Sequence, residues 1–200
     1  MTPPFDRDLY MLAWKFVATH HQGQPFPGTD LPYIVHIGAV AMEVIATLAV
    51  EPFDRPDLAV ACALLHDVIE DTATKPRPIT HADLVAAFGG FDASIADGVA
   101  ALSKDPAITD KSAAIDDSLA RILGLQLREV AVVKLADRVV NMEPPPTHWS
   151  VDKRTRYHAE AGAILERLGH ASPTLSARLR EKMTRYERHL DPANDAPSTP

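Results

Sequence analysis

The polar residues best able to do chemistry in this 200-residue chain stand where a helix ought to be apolar. The segment AVACALLHDVIEDT is hydrophobic until His66 and Asp67, then polar again at Glu70 and Asp71. On an α-helix, positions i, i+1, i+4 and i+5 share one narrow stripe, so the four side chains would leave the helix together. Two carboxylates near a helix C-terminus also oppose the negative pole of its macrodipole, a conflict that a bound cation reverses. A helix end that simply surfaces would give the same pattern, so this segment alone does not decide.

The oddity recurs. EVAVVKLADRVVNM is apolar over most of its girth yet carries Lys134, Asp137, Arg138 and Asn141 on one face, and PYIVHIGAVAM sets His36 alone among apolar neighbours. Taken singly, Asp137 reads as a solvated or salt-bridged carboxylate and His36 as a satisfied core histidine. Taken together, His36, the adjacent His66 and Asp67, and Asp137 would require three separate coincidences. Two imidazoles with two carboxylates make a mixed nitrogen and oxygen set with room for water, which suits one Mn²⁺, Fe²⁺, Co²⁺ or Zn²⁺ per chain better than Ca²⁺. Neighbours on a helix diverge by about 100°, so His66 and Asp67 can take adjacent positions on one octahedral ion while two other helices supply His36 and Asp137.

The elements needed to position such a set are legible in the periodicity. Apolar residues recur at helical spacing over 5–21, 33–49, 57–70, 81–88, 94–102, 111–123, 127–142, 151–168 and 175–189, and no alternating β pattern competes. The joints between them, such as QGQPFPGTDLP, EPFDRPD and EPPPTH, hold much of the proline, which acts as punctuation. The expected architecture is all-α: a single-domain helical bundle with a central metal site over 5–189, followed by a flexible, polar, proline-rich tail at 190–200.

Composition narrows the function classes. At 46% hydrophobic and 24% charged the chain is long enough to bury one sizeable core. Cys62, the sole cysteine, lies in an apolar run and reads as a buried small hydrophobe, in keeping with a reducing cytoplasm. The N-terminus lacks a signal-peptide pattern and no apolar run reaches the roughly 18 residues of a membrane span, so no membrane role is expected. A formal net charge of −7 argues against general nucleic-acid binding, which needs clustered Lys and Arg. A small phosphorylated ligand stays compatible, because a local cationic centre overrides the global field.

The order His36, His66-Asp67, Asp137 resembles that of the HD superfamily of metal-dependent phosphohydrolases. The strings GTDLPYIVH, ALLHDVIEDT, FGGFDASIADGVAALSKD and VKLADRVVNM are similar to the hydrolase domain of the RelA/SpoT family, and particularly to its stand-alone small alarmone hydrolases, over roughly residues 9–168. That resemblance implies an HD-type helical fold and an Mn²⁺-dependent cytoplasmic enzyme of the stringent response that removes the 3′-pyrophosphate from alarmones such as ppGpp. It further implies that His36, His66, Asp67 and Asp137 are metal ligands and Glu70 and Asp71 catalytic, with Lys104 and Asn141 touching substrate. Helical spacing agrees: Glu70 stands one turn after His66, where its carboxylate would overhang the ion and orient or deprotonate a bound water, and Asp71 one turn after Asp67. The division of acid and base between them stays open. His20, His21, His81, His148, His158, His170 and His189 lack an HD-like acidic partner and are expected as surface or capping residues.

The chain departs from the family pattern in the loop after Gly23 and Gln24. Members carry an Arg-Lys pair there, whose arginine stacks on guanine, whereas this chain has Pro25, Phe26, Pro27 and Gly28, with a loop about one residue longer. Ile37 replaces the proline that usually follows the first histidine. The missing pair predicts relaxed or inverted base preference, with ppApp and other adenosine 3′-pyrophosphates accepted at least as well as the guanosine forms, and Phe26 as the nearest side chain able to supply a stacking surface. No synthetase domain is expected after the hydrolase-like portion. The alternatives are another HD phosphohydrolase acting on nucleotide 5′-phosphates and a catalytically silent nucleotide-binding regulator. Apolar helices at either end would permit a homodimer.

Overall fold

The computed structural model describes residues 5–191, so the expected tail lies outside them beyond Asp191. Among the described residues the regular structure is helical: α1 (Arg7–His20), α2 (Ile34–Leu48), α3 (Pro56–Leu65), α4 (Val68–Thr72), α5 (His81–Phe88), α6 (Ser94–Leu102), α7 (Lys111–Leu125), α8 (Arg128–Asn141), α9 (Val151–Leu168) and α10 (Pro173–Tyr186), with 3₁₀ turns at Gly169–Ala171 and Glu187–His189. None of these helices is long and apolar enough to cross a membrane. The expected all-α class is therefore observed.

Local sequence explains the ends. Asp6, Thr80, Asp110, Ser150 and Ser172 each accept a backbone N–H in the first turn of the helix that follows, and Thr80 and Asp83 close a reciprocal capping box. Pro56 and Pro173 start α3 and α10, where a missing N–H leaves nothing unpaired. The last helix thus begins ahead of position 175, because Ser172 and Pro173 form a start signal that hydrophobic periodicity alone skips.

The middle of the molecule is α3. Every residue from Leu58 to Leu65 is buried, and α1, α2, α6 and α8 all pack against it. A helix that is apolar all round requires such enclosure, and each large side chain fully withdrawn from water contributes about 1.5–3 kcal/mol. Cys62 is part of this core, and burial pushes its thiol well above the ordinary range, so it is an inert hydrophobe. The approach of α6 depends on Gly98, where a Cβ would lie 2.8 Å from Cys62 Sγ and 3.0 Å from Val130 Cγ2.

One element differs from expectation in a way that matters for the site. The helix anticipated over 57–70 is two, α3 and α4, divided at His66 and Asp67. Asp67 sits at φ −99°, ψ −4°, and His66 Nδ1 donates to the carbonyl of Ala63 at 2.8 Å. In a continuous helix that carbonyl would serve the amide of Asp67, so the imidazole competes with the ladder where the chain turns. The stripe drawn on one unbroken helix is accordingly corrected: His66 ends one helix, Glu70 and Asp71 belong to the next, and the junction re-aims them.

Candidate metal centre

Three neighbouring helices of the core bring the ligand candidates together. His36 comes from the first turn of α2, His66 and Asp67 from the α3–α4 junction, and Asp137 from the last turn of α8. His36 and His66 are 2% and 3% exposed, and their Nε2 atoms face each other at 3.2 Å. Asp67 Oδ2 lies 3.0 Å from His66 Nε2 and 3.5 Å from His36 Nε2. The ligand atoms of these three residues all fall within 4.8 Å of one another. Asp137 Oδ1 lies 3.5 Å and 3.9 Å from the Nε2 atoms of His36 and His66.

This arrangement fits a divalent ion on its own evidence. His66 spends its Nδ1 proton on Ala63, which leaves Nε2 as the bare nitrogen turned inward, the tautomer a metal requires. Two imidazole Nε2 atoms and two carboxylates thus converge on one space. The electrostatics say the same: burial works against charge on His66, yet the Asp67 and Asp137 carboxylates overcome it and raise the imidazole to about 9. Asp67 runs the other way. Burial opposes its ionisation, but the two histidines hold it well below the usual carboxylate range. A site that draws a proton onto a buried imidazole is a site built for positive charge.

The carboxylates are held from behind. The Tyr33 hydroxyl donates to Asp67 Oδ2 at 2.5 Å. Asn141 Nδ2 donates to Asp137 Oδ1 at 2.5 Å and Lys134 Nζ to Oδ2 at 3.3 Å. Asn141, singled out above as a substrate contact, therefore also braces a ligand candidate. Tyr33 was missed, although a tyrosine three residues ahead of His36 shares its helical face.

A cavity of about 620 Å³ opens at this point, lined by Asp67 and Asp137 together with Glu70, Asp71 and Lys104. Glu70 accepts the Lys104 backbone N–H at 3.0 Å and its Nζ at 2.8 Å. Asp71 accepts instead from the uncharged amide of Gln24, and burial, then the neighbouring Asp67, raise its carboxyl above the ordinary range. Its other walls include Pro144–Pro146 and the rings of Phe26, Trp149 and Tyr157. Phe26 is committed on one side, its ring 5.7 Å from that of His36 and nearly parallel to it.

Of the seven histidines expected at the surface or as caps, His21 is a cap that is also buried. It ends α1 and is 3% exposed, with Nδ1 2.9 Å from Gln24 Oε1. An isolated histidine after a helix carries no sequence signal for this, because the partner is created by the turn that follows. His81 does sit at the surface, paired with Asp97 at 2.7 Å.

Comparison with known proteins agrees with the geometry. The model of the HD domain matches residues 13–175. A guanosine-3′,5′-bis(diphosphate) 3′-pyrophosphohydrolase of Haemophilus influenzae is 40% identical over 154 residues, covering 75% of this chain and 20% of that protein. The bifunctional (p)ppGpp synthase/hydrolase SpoT of Escherichia coli is 36% identical over 168 residues, 82% of this chain and 21% of its own length. A Myxococcus xanthus GTP pyrophosphokinase is 33% identical over 162 residues, with 79% and 20% covered. The chain thus spans about a fifth of the length of the curated relatives it matches. Among solved structures, a metazoan ortholog of SpoT superimposes with a TM-score of 0.72 at 20% identity, over 92% of this chain and 97% of that one, which supports the fold. The similarity to RelA/SpoT hydrolase domains drawn from the motifs is thereby matched by independent relatives, and the chain belongs to the HD-domain family.

Proposed function

We propose that the chain hydrolyses the 3′-pyrophosphate of guanosine and adenosine alarmones, the (p)ppGpp and (p)ppApp type, releasing pyrophosphate, with one Mn²⁺ held by His36, His66, Asp67 and Asp137. The observation that carries this reading is the sharing of one cavity by Asp67 and Asp137, the carboxylates of the converging ligand set, and by Glu70, Asp71 and Lys104. The curated relatives named for guanosine 3′-pyrophosphate hydrolysis support the substrate class. A divalent metal in such a set lowers the pKa of bound water and polarises a phosphoryl oxygen.

The chain's own residues divide the remaining work. Glu70, oriented by two donors from Lys104, accepts a hydrogen bond from the attacking water and aims it at the phosphorus attached to ribose O3′. Asp71, whose carboxyl burial and the neighbouring Asp67 raise above the ordinary range, is the acid that donates a proton to O3′ as that P–O bond breaks. Lys104 offers positive charge for the phosphate groups, and Asn141 keeps Asp137 in place. The base meets rings and prolines in place of an Arg-Lys pair, so stacking dominates and guanine and adenine are both accepted.

The test is a panel of 3′-pyrophosphorylated and 5′-phosphorylated nucleotides offered to the Mn²⁺-loaded protein, with products identified by mass. Pyrophosphate and the nucleoside 5′-phosphates are the expected products. Orthophosphate released from 5′-monophosphates would favour the nucleotidase alternative.

A further inference from the structure

Asp71 is held by a two-link chain of hydrogen bonds that leads away from the cavity. Gln24 Nε2 donates to Asp71 Oδ2 at 2.7 Å, and Gln24 Oε1 lies 2.9 Å from His21 Nδ1. An amide oxygen only accepts, so His21 must carry its proton on Nδ1. The other nitrogen, Nε2, is buried without a partner, and the ring stacks on Tyr33 at 5.1 Å and 26°. Leaving a buried ring nitrogen unsatisfied is unfavourable, and it persists here because the opposite nitrogen is committed to Gln24. Burial also pushes the imidazole's pKa down, in keeping with a neutral ring that points one fixed donor at Gln24.

The backbone is shaped for this contact. Gly23 takes φ +76°, a left-handed conformation that glycine adopts without strain. The turn it makes brings the Gln24 N–H back to the His21 carbonyl at 3.0 Å, and the Tyr33 N–H pins the Gln24 carbonyl at 2.9 Å. Gln24 is thereby fixed at both ends of its backbone and at both ends of its amide. The contrast with Glu70 gives the arrangement its meaning: one carboxylate receives a charged donor, the other a neutral one whose orientation is enforced from a second layer.

We propose that Gln24, set in one orientation by His21, is the positioning residue for Asp71: it claims Oδ2 as an acceptor and leaves Oδ1 as the oxygen that carries the transferable proton. This rests on the hydrolase reading for the role of Asp71. As the bond between phosphorus and O3′ breaks, its electron pair stays on O3′ and takes the proton from Oδ1. A water oxygen adds to phosphorus, and the proton that water sheds restores Asp71, so one water is consumed for each turnover. A reversed amide would present Oε1 to Asp71, draw the proton to Oδ2 and turn it away from the substrate.

The experiment has two arms. Imidazole ¹⁵N NMR of the Zn²⁺-loaded full chain near pH 7.5, with His21 assigned by comparison to His21→Phe, should show the neutral Nδ1–H tautomer, with a tautomer mixture in Gln24→Met. A neutral Nε2–H tautomer or an imidazolium in the wild type overturns the proposal without any assay of activity. In the Mn²⁺-loaded enzyme, Gln24→Met should lower kcat by about 10- to 100-fold, the usual scale for loss of an outer-layer hydrogen bond, with KM and metal content unchanged. It should add almost nothing to Asp71→Asn but multiply the loss in Glu70→Gln, a pattern that a general loosening of the loop would not give. Wild-type kcat in Gln24→Met, or the same factor with and without Asp71, overturns the positioning role alone. The expected tautomer in a protein that hydrolyses no nucleotide overturns the hydrolase reading and the proton transfer together.

Discussion

The two ends of the cavity are built on different principles. At the metal end, the ligand candidates sit on or between helices of the core, and three of the four are braced by a second residue: Ala63 on His66, Tyr33 on Asp67, Asn141 and Lys134 on Asp137. At the other end the walls are loops, with Pro27, Gly28 and Thr29 facing Pro144–Pro146 and Trp149. A Cβ placed on Gly28 would lie 3.7 Å from Pro146 Cγ there. Rigid helices hold the chemistry to the tolerance it needs, and loops alter the substrate without disturbing the core. The difference makes the metal end readable from one sequence and the loop end far less so.

The sharpest way to break the comparison is to remove a ligand. His66→Ala or Asp137→Ala should abolish metal binding and hydrolysis together, since so few ligands cannot spare one. Metal analysis of the purified variants checks this, and full occupancy with wild-type turnover in either would refute the assignment.

Next in size are the carboxylates beside the ligands. Glu70→Gln and Asp71→Asn should each lower kcat by about 10²- to 10⁴-fold, the usual contribution of acid and base groups, while the metal stays bound. Asp71→Asn should also show a trade. Burial and Asp67 raise the folded-state pKa of Asp71 above the ordinary 3.8, so ionised Asp71 disfavours the fold at neutral pH and the penalty fades as pH falls through that raised value towards 3.8. Metal-free Asp71→Asn should therefore melt above metal-free wild type at pH 7, with the gap closing towards pH 4. A lower melting temperature at pH 7 would contradict the raised pKa.

How much of this was legible depended on whether the signal was local. His36, His66, Asp67 and Asp137 announced themselves as polar residues on apolar helices, a contrast that survives without knowing the fold. The break between α3 and α4 did not, because it arises from His66 Nδ1 capturing the Ala63 carbonyl and periodicity cannot register a side chain that competes with its own helix. His21 and Gln24 were hidden for a related reason: they acquire a role only when the turn at Gly23 carries them to Asp71, 47 positions along the chain from Gln24. Tyr33 lay in between, visible by spacing but indistinguishable from a core aromatic.

A smaller effect separates bracing from ligation. Tyr33→Phe deletes only the hydroxyl on Asp67 and should weaken metal affinity by about 10- to 100-fold, the scale for outer-layer partners of ligands, as measured by competition with a chelating dye. Unchanged affinity would show that the brace is dispensable.

The smallest effects belong to the loop end. Trp149→Ala should raise KM several-fold for adenosine and guanosine substrates alike, as expected of stacking contacts worth about 1–3 kcal/mol per base, with kcat nearly constant. Phe26→Ala should behave differently, lowering kcat as well, because that ring lies against His36. A pure KM effect at Phe26 would mean that the ring serves the base and leaves the histidine undisturbed.

The central claim is that the buried His and Asp set and the Glu70–Asp71 pair form one hydrolytic centre for nucleotide 3′-pyrophosphates. It is tested most directly by incubating the Mn²⁺-loaded protein with ppGpp and ppApp and identifying the products by mass, alongside His66→Ala. The account predicts pyrophosphate and the matching nucleoside 5′-diphosphate from both substrates, with neither product from the variant. Intact substrates after incubation with metal-loaded wild type, or equal turnover by His66→Ala, would contradict it.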